Sequence, residues 1–205
     1  MYKNWFKRLF DFCIALCAFP FVLLVCIGVW IAIKCDDGGP LFHMASRIGK
    51  NGRIFKMYKF RSMYLHAEEY LEELQKFNQI KDGPAFKMDN DPRITKVGKF
   101  IRKTSIDELP QLFNILKGNM SLVGPRPERP FFVEKFREEI PRYMVKHQVR
   151  PGLTGWAQVN GYRGDTSIRK RIEYDLYYIE NWSIGLDIKI IFLTFFKGFI
   201  NKNAY

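Results

Sequence analysis

Histidine is scarce. His43, His66 and His147 are the only three in 205 residues, and no two stand at a ligand spacing, which speaks against a histidine-based metal centre. Four cysteines, Cys13, Cys17, Cys26 and Cys35, form no Cys-x-x-Cys pair, and three lie inside an apolar run. That pattern argues against a zinc site or a disulfide frame and leaves them as small apolar fillers. No internal repeat or low-complexity tract occurs, so a solenoid is out. Acidic residues are outnumbered, 21 against 33 basic, for a net charge of +12. Such a balance points to an anionic partner: nucleic acid, anionic lipid or a phosphorylated substrate.

Charge is missing altogether between Phe12 and Ile33. About 22 helical residues at ~1.5 Å each make ~33 Å, enough for a bilayer core of ~30 Å. Lys3, Lys7 and Arg8 would suit the start of a signal peptide, but the apolar run is too long and Ile33-Lys34-Cys35-Asp36 offers no small-residue cleavage site. Basic residues flank the run on both sides, with Lys34, Arg47, Lys50 and Arg53 following it. A straight span would send one cationic flank to the wrong side. Pro20 lies inside the run and removes a backbone donor. These features predict a helix that enters, bends near Pro20 and returns, with a plain span tolerating the proline as the alternative.

Beyond this segment, Cys35-Asp36-Asp37-Gly38-Gly39-Pro40 reads as a turn-rich exit. Leu41-Phe42 and Arg53 to Phe60 alternate as short strands around a Gly49-Lys50-Asn51-Gly52 turn. A charged helix is expected from His66 to Phe77, with Glu72 and Lys76 at supportive spacing. Leu109, Leu112, Phe113 and Leu116 recur with helical period, and Gly118 is a stop. Helices are expected over Pro130–Arg137 and Ser167–Asn181, and a glycine-punctuated loop and strand over Pro151–Gly161. Leu186 to Tyr205 is apolar with lysines at 189, 197 and 202. It suits either a helix lying in a lipid interface or one packed on the protein's own core.

The run Arg102-Lys103-Thr104-Ser105-Ile106-Asp107-Glu108-Leu109-Pro110-Gln111 carries two readings. Ser105 and Glu108 stand at capping-box spacing, and Pro110 falls near a first helical turn, so spacing alone favours a helix start. The same geometry suits phosphate chemistry. A helix N-terminus attracts phosphate oxygens and helps keep a carboxylate ionised, and an ionised carboxylate can attack phosphorus. A second carboxylate alongside could hold a divalent cation. Arg102, and Arg126 within Gly124-Pro125-Arg126-Pro127, offer two-pronged phosphate contacts. Asp89-Asn90-Asp91 copies a short metal motif, but Pro92 follows at once and favours a turn.

Lys59-Phe60-Arg61, Thr104 to Gln111, Ser121-Leu122-Val123-Gly124-Pro125-Arg126-Pro127, and Arg150-Pro151-Gly152-Leu153-Thr154-Gly155-Trp156-Ala157-Gln158-Val159-Asn160-Gly161 occur in that order. In these blocks the chain resembles the bacterial sugar transferase family, the monotopic phosphoglycosyl transferases that prime lipid-linked glycan assembly. The resemblance runs from Lys7 to the C-terminus. It implies that Asp107 attacks the β-phosphate of a UDP-sugar and releases UMP, and that polyprenol (undecaprenyl) phosphate then takes the phospho-sugar from the enzyme. It further implies Mg2+ as cofactor, held by Glu108 with Asp107, and phosphate contacts from Arg102, Arg126 and, in a less defined role, Lys59. Tyr162-Arg163-Gly164-Asp165-Thr166 follows the last block and is a candidate contact to nucleotide or sugar, or else a solvated loop. The family's membrane segment is a re-entrant helix broken at a proline, matching Pro20, although Phe19 stands where some members carry serine. The C-terminal ending, Asp187 through Tyr205, is similar to members acting on UDP-glucose or UDP-galactose, with N-acetylated sugars the alternative.

The expectation is therefore an α/β-type fold, mostly helical with a small β-sheet. Residues 1–34 would form the re-entrant helix, and residues 35–205 a catalytic domain with interfacial C-terminal helices. The resemblance places it at the cytoplasmic face of a bacterial inner membrane, with UDP-sugar, polyprenol phosphate and the phospholipid bilayer as partners. A homodimer and downstream glycosyltransferases are further candidates of the same kind. A nucleic-acid-binding domain would explain the charge, but the basic residues are spread and no binding module is present. A non-catalytic membrane adaptor would explain the N-terminal segment, yet gives no reason for Asp107-Glu108 beside two arginine-bearing blocks.

Overall fold

The computed structural model describes residues 4–78, 86, 88, 90–162 and 166–198. Helix α1 (Asn4–Asp36) runs through Pro20, which does not end it. One narrow stripe, Ala15, Val22, Cys26, Val29 and Ile33, is buried against the rest of the chain. Its other faces leave Trp5, Phe12, Phe21, Leu24, Ile27 and Trp30 exposed. An apolar helix of this length with so little of its surface covered is long and apolar enough to lie in or across a bilayer. The helix ends where Gly38, at φ 72°, lets its N–H and that of Asp37 return to the Ile33 carbonyl.

Both ends of α1 are fastened to the same domain. Near its start Lys7 and Asp11 are buried, and Lys7 Nζ lies 2.8 Å from Asp11 and 2.9 Å from Asp187. Asp11 accepts the Ser121 hydroxyl at 2.6 Å and the Leu122 N–H at 3.2 Å. Arg8 donates to the Ile115 carbonyl and, at 2.7 Å, to that of Leu116. At the far end Asp36 accepts the Val97 N–H at 3.0 Å, and Asp37 pairs with Arg61.

Strands β1 (Phe42–Ile48) and β2 (Ile54–Phe60) form an antiparallel hairpin around the Gly49–Gly52 turn, as expected, but the first strand, expected at Leu41-Phe42, runs on to Ile48. A helix over His66–Phe77 does not form. Only one α-turn, α2 (Leu71–Leu74), is present, followed by a 3-10 turn at Gln75–Phe77. Ala67 is the one residue of this stretch that is buried, so no packed face stabilises a longer helix. Then come α3 (Lys96–Lys103), α4 (Gln111–Lys117), β3 (Ser121–Val123) and α5 (Pro130–Glu139). They are followed by β4 (Gly152–Thr154), α6 (Trp156–Val159), α7 (Ile168–Glu180) and α8 (Ile184–Gly198). β3 and β4 pair in parallel, Ser121 with Gly152 and Val123 with Thr154. The fold is thus mostly helical, as expected, with two small two-stranded sheets among the described residues rather than one.

α8 packs one face on the domain, as the second reading of the C-terminal stretch expected, and leaves another face exposed. Asp187 and Ile190 are fully buried against the domain, while Ile188, Phe192, Phe195 and Phe196 form an exposed apolar face one and two turns apart. Lys189 sits over the Trp156 ring at 5.5 Å. Lys202 lies outside the described residues.

Candidate active site

The site begins with Asn114, which is buried in α4 together with Gln111, Leu112 and Ile115. Its Oδ1 accepts the Tyr58 N–H at 2.9 Å and its Nδ2 donates to the Lys56 carbonyl at 2.8 Å. The outer edge of β2 would otherwise carry unpaired backbone groups. The asparagine amide supplies both partners and fixes the strand on α4, and so places Lys59.

Asp107 and Glu108 reach the same point from a different element. Ser105 adopts a left-handed conformation, φ 56°, and turns the chain into a 3-10 turn at Ile106–Glu108. The expected capping box is absent. Ser105 makes no side-chain cap, Glu108 faces Lys59 and Arg126, and α4 starts only after Pro110. Lys59 Nζ lies 3.3 Å from Asp107 Oδ2 and 2.9 Å from Glu108 Oε1. Arg126 Nη2 donates to Glu108 Oε1 at 2.8 Å. Both carboxylates are buried.

Arg126 stands on the loop between β3 and α5. That loop is registered by two backbone bonds, Gly124 N–H to the Thr154 carbonyl and Gly152 N–H to the Pro125 carbonyl, both 2.9 Å. A Cβ on Gly152 would overlap the Gly124 backbone, so the close approach depends on glycine. Arg102 comes from the last turn of α3 and donates through Nε to the Ser62 hydroxyl at 2.9 Å. α3 lies directly on Ser62 because Gly98 has no Cβ to obstruct the contact. Arg102 is close enough to act electrostatically on Asp107. The structure therefore brings Lys59, Arg102, Asp107, Glu108 and Arg126 together from β2, α3, the 3-10 turn and the β3–α5 loop. Pro20 belongs to α1 and takes no part in this cluster.

Burial pushes the Asp107 carboxyl above its ordinary range, Lys59 opposes the shift, and the neighbouring Glu108 adds to it. Desolvation thus outweighs the local cations in setting the direction of the shift. Oδ2 of Asp107 is taken by Lys59. No group of three or more histidine, cysteine or acidic side chains that could hold a metal occurs among the described residues. Two adjacent carboxylates do suit a hard cation that keeps much of its shell as water and substrate oxygen, which is how Mg2+ binds beside phosphates.

Of the remaining candidates, Asp91 stays within electrostatic reach of Arg102, and His43 stands opposite Lys59 in the hairpin. Asp91 is buried and gripped by Arg93 through several hydrogen bonds, the shortest 2.6 Å, so the Asp89–Asp91 stretch is a structural turn at its described end. Asp89 lies outside the described residues, as do Arg163, Gly164 and Asp165. Tyr162 is half-buried against Tyr174, with ring centroids 4.8 Å apart. His66 is exposed beside Glu69, and burial lowers His147 to about 4, leaving it neutral. Sequence reasoning missed Ser62, Asn114 and Glu128. Only Asn114 gave a signal, as the one polar residue in the run Leu112-Phe113-Asn114-Ile115-Leu116.

Residues 2–201 match the family described as bacterial sugar transferase. The chain belongs to this family. Among relatives of the bacterial sugar transferase, it is 47% identical over 187 residues to the UDP-glucose:undecaprenyl-phosphate glucose-1-phosphate transferase of Escherichia coli K12, covering 89% of this chain and 37% of that protein. It is 46% identical over 190 residues to the UDP-N-acetylgalactosamine-undecaprenyl-phosphate N-acetylgalactosaminephosphotransferase of Aeromonas hydrophila, covering 92% and 42%. It is 42% identical over 198 residues to the undecaprenyl-phosphate galactose phosphotransferase of Salmonella typhimurium LT2, covering 94% and 40%. The chain therefore spans less than half the length of these relatives. The three are named for three different sugars at similar identity, so overall likeness does not rank the donors.

Proposed function

We propose that the chain is a membrane-embedded phosphoglycosyl transferase that moves a sugar-1-phosphate from a UDP-sugar to polyprenol phosphate. The observation that carries this reading is the convergence of Lys59 and Arg126 on a buried Asp107–Glu108 pair, with Arg102 within electrostatic reach of Asp107. Three cations around two carboxylates suit a diphosphate substrate, and the family relatives supply the substrate class.

In the first step an Asp107 carboxylate oxygen attacks the β-phosphorus of the donor. A phosphorus–oxygen bond forms to Asp107, the bond to the bridging oxygen breaks, and UMP leaves with that oxygen. In the second step a phosphate oxygen of the lipid attacks the same phosphorus. The carboxylate departs and a polyprenol-diphosphate-sugar is released. Lys59 keeps Asp107 more acidic than burial alone would and orients it. Arg102 and Arg126 stabilise phosphate charge as it redistributes. Asp107 and Glu108 would hold Mg2+, which when bound neutralises diphosphate charge. A UDP-hexose is the favoured donor, with UDP-N-acetylhexosamines the alternative.

The topology we propose is re-entrant at a cytoplasmic membrane face. Both ends of α1 bond to one domain, both flanks are basic, and Pro20 weakens the helix midway. The exposed face of α8 would lie in the same interface. Incubating membranes holding the chain with a panel of radiolabelled UDP-sugars and polyprenol phosphate tests the activity. Label entering an organic-soluble lipid supports it, and no transfer from any donor would leave the adaptor reading.

A further inference from the structure

A second cluster of charge lies beside Arg126, and the proposed chemistry does not use it. Glu128, Tyr143, Lys146 and Asp175 are all buried. Glu128 Oε2 accepts the Tyr143 hydroxyl at 2.5 Å, and Oε1 lies 3.2 Å from Lys146 Nζ and 3.8 Å from Arg171. Lys146 in turn pairs with Asp175 at 3.2 Å. Two buried carboxylates thus meet one buried ammonium and, at longer range, the partly buried Arg171 guanidinium. Burying such a set contributes little net stability, since its mutual attraction largely offsets the desolvation of each member. What it does supply is a unique position for Glu128.

Glu128 is two residues from Arg126, and the link between them is stiff. Pro125 and Pro127 flank Arg126 and fix the backbone torsion on either side. The Pro125 carbonyl is held by Gly152, and the Glu128 carbonyl accepts the Ile48 N–H at 3.0 Å. A shift of Glu128 would therefore be carried to the Arg126 guanidinium, which meets Glu108 at 2.8 Å.

We infer that the Glu128–Tyr143–Lys146–Asp175 cluster is a positioning device that sets the Arg126 guanidinium for the donor diphosphate. Glu128 is its central positioning residue. This rests on the reading of Arg126 as a phosphate ligand. The cluster touches no substrate itself; it acts through the Pro-Arg-Pro turn.

A double-mutant cycle on the full chain in membranes tests the inference. UDP binding in Mg2+ buffer is measured calorimetrically for the native chain, Glu128→Gln, Arg126→Ala and the double variant, and UMP release from a UDP-sugar is followed in parallel. Glu128→Gln keeps the shape of the side chain and removes its charge. It should weaken UDP binding about 10-fold when Arg126 is present and less than about 2-fold when Arg126 is alanine, because coupled residues are non-additive. Tyr143→Phe should show the same pattern more weakly and serves if Glu128→Gln fails to accumulate. Equal losses in both backgrounds would mean a merely structural cluster and would overturn the proposal. No UDP binding by the native chain would remove the premise and the proposal with it. UDP binding without UMP release would instead count against the transferase reading alone, and the cycle would still decide the role of Glu128.

Discussion

Lys59 Nζ lies 3.3 Å from Asp107 Oδ2 and opposes the upward push that burial exerts on that carboxyl. Because Asp107 must be ionised to attack phosphorus, turnover should fall on acidification at a pH above the ordinary carboxylate range. Lys59→Met removes the opposing charge, so the acid limb of the kcat profile should move to higher pH. The stability consequence has the opposite sense. A carboxyl whose pKa is raised by folding contributes stability below its unfolded value and loses it as pH rises through the folded value. Asp107→Asn should therefore unfold at an equal or higher temperature than the native chain at neutral pH. A limb that stays put in Lys59→Met would separate Lys59 from Asp107.

Removing the Asn114 amide should act at a distance. Asn114→Leu leaves a strand N–H and a carbonyl without partners, at a cost of about 2–4 kcal/mol. Thermal unfolding in detergent should show a lower midpoint, and UMP release should fall because β2 no longer holds Lys59 in place. Native stability in this variant would mean that the hairpin needs no such clamp.

The phosphate grip predicts losses without unfolding. Arg126→Ala and Arg102→Ala should each lower turnover by about 30- to 1000-fold, equivalent to about 2–4 kcal/mol of transition-state stabilisation. Membrane association should be unchanged. Near-normal rates in both variants would take these arginines out of the site.

Much of this arrangement was legible in the sequence. The strand ending at Phe60 and its turn, the α4 helix ending at Gly118 and the helix from Ile168 to Glu180 followed from periodicity and turn residues, whereas the first strand proved longer than expected and Leu109 lies before α4. The site residues followed from family motifs rather than spacing, since spacing alone made Ser105–Glu108 a capping box. That reading failed because the left-handed Ser105 diverts the chain before α4, and no local pattern encodes that turn. The helix expected over His66–Phe77 failed for want of a buried face. The Glu128 cluster was invisible because its members are up to 47 positions apart in the chain and meet only through tertiary packing.

The topology gives a direct expectation. Single cysteines near Lys3 and near Lys50, on a background lacking the four native cysteines, should react equally with a membrane-impermeant reagent applied from the cytoplasmic side. Labelling near Lys3 from outside would favour a span. Such a result would also require the Lys7–Asp187 contact to be broken in the membrane.

The central claim is that Asp107 carries the phospho-sugar. The native chain, given a labelled UDP-sugar and Mg2+ without any lipid acceptor, should release UMP and retain label as a covalent adduct. An acyl-phosphate is cleaved by hydroxylamine, so the label should be lost on that treatment. Asp107→Asn should fold, reach the membrane and form no adduct, because an amide cannot take the phosphoryl group. The account predicts a hydroxylamine-labile adduct mapped to Asp107; a fully active Asp107→Asn chain, or an adduct on another residue, would contradict it.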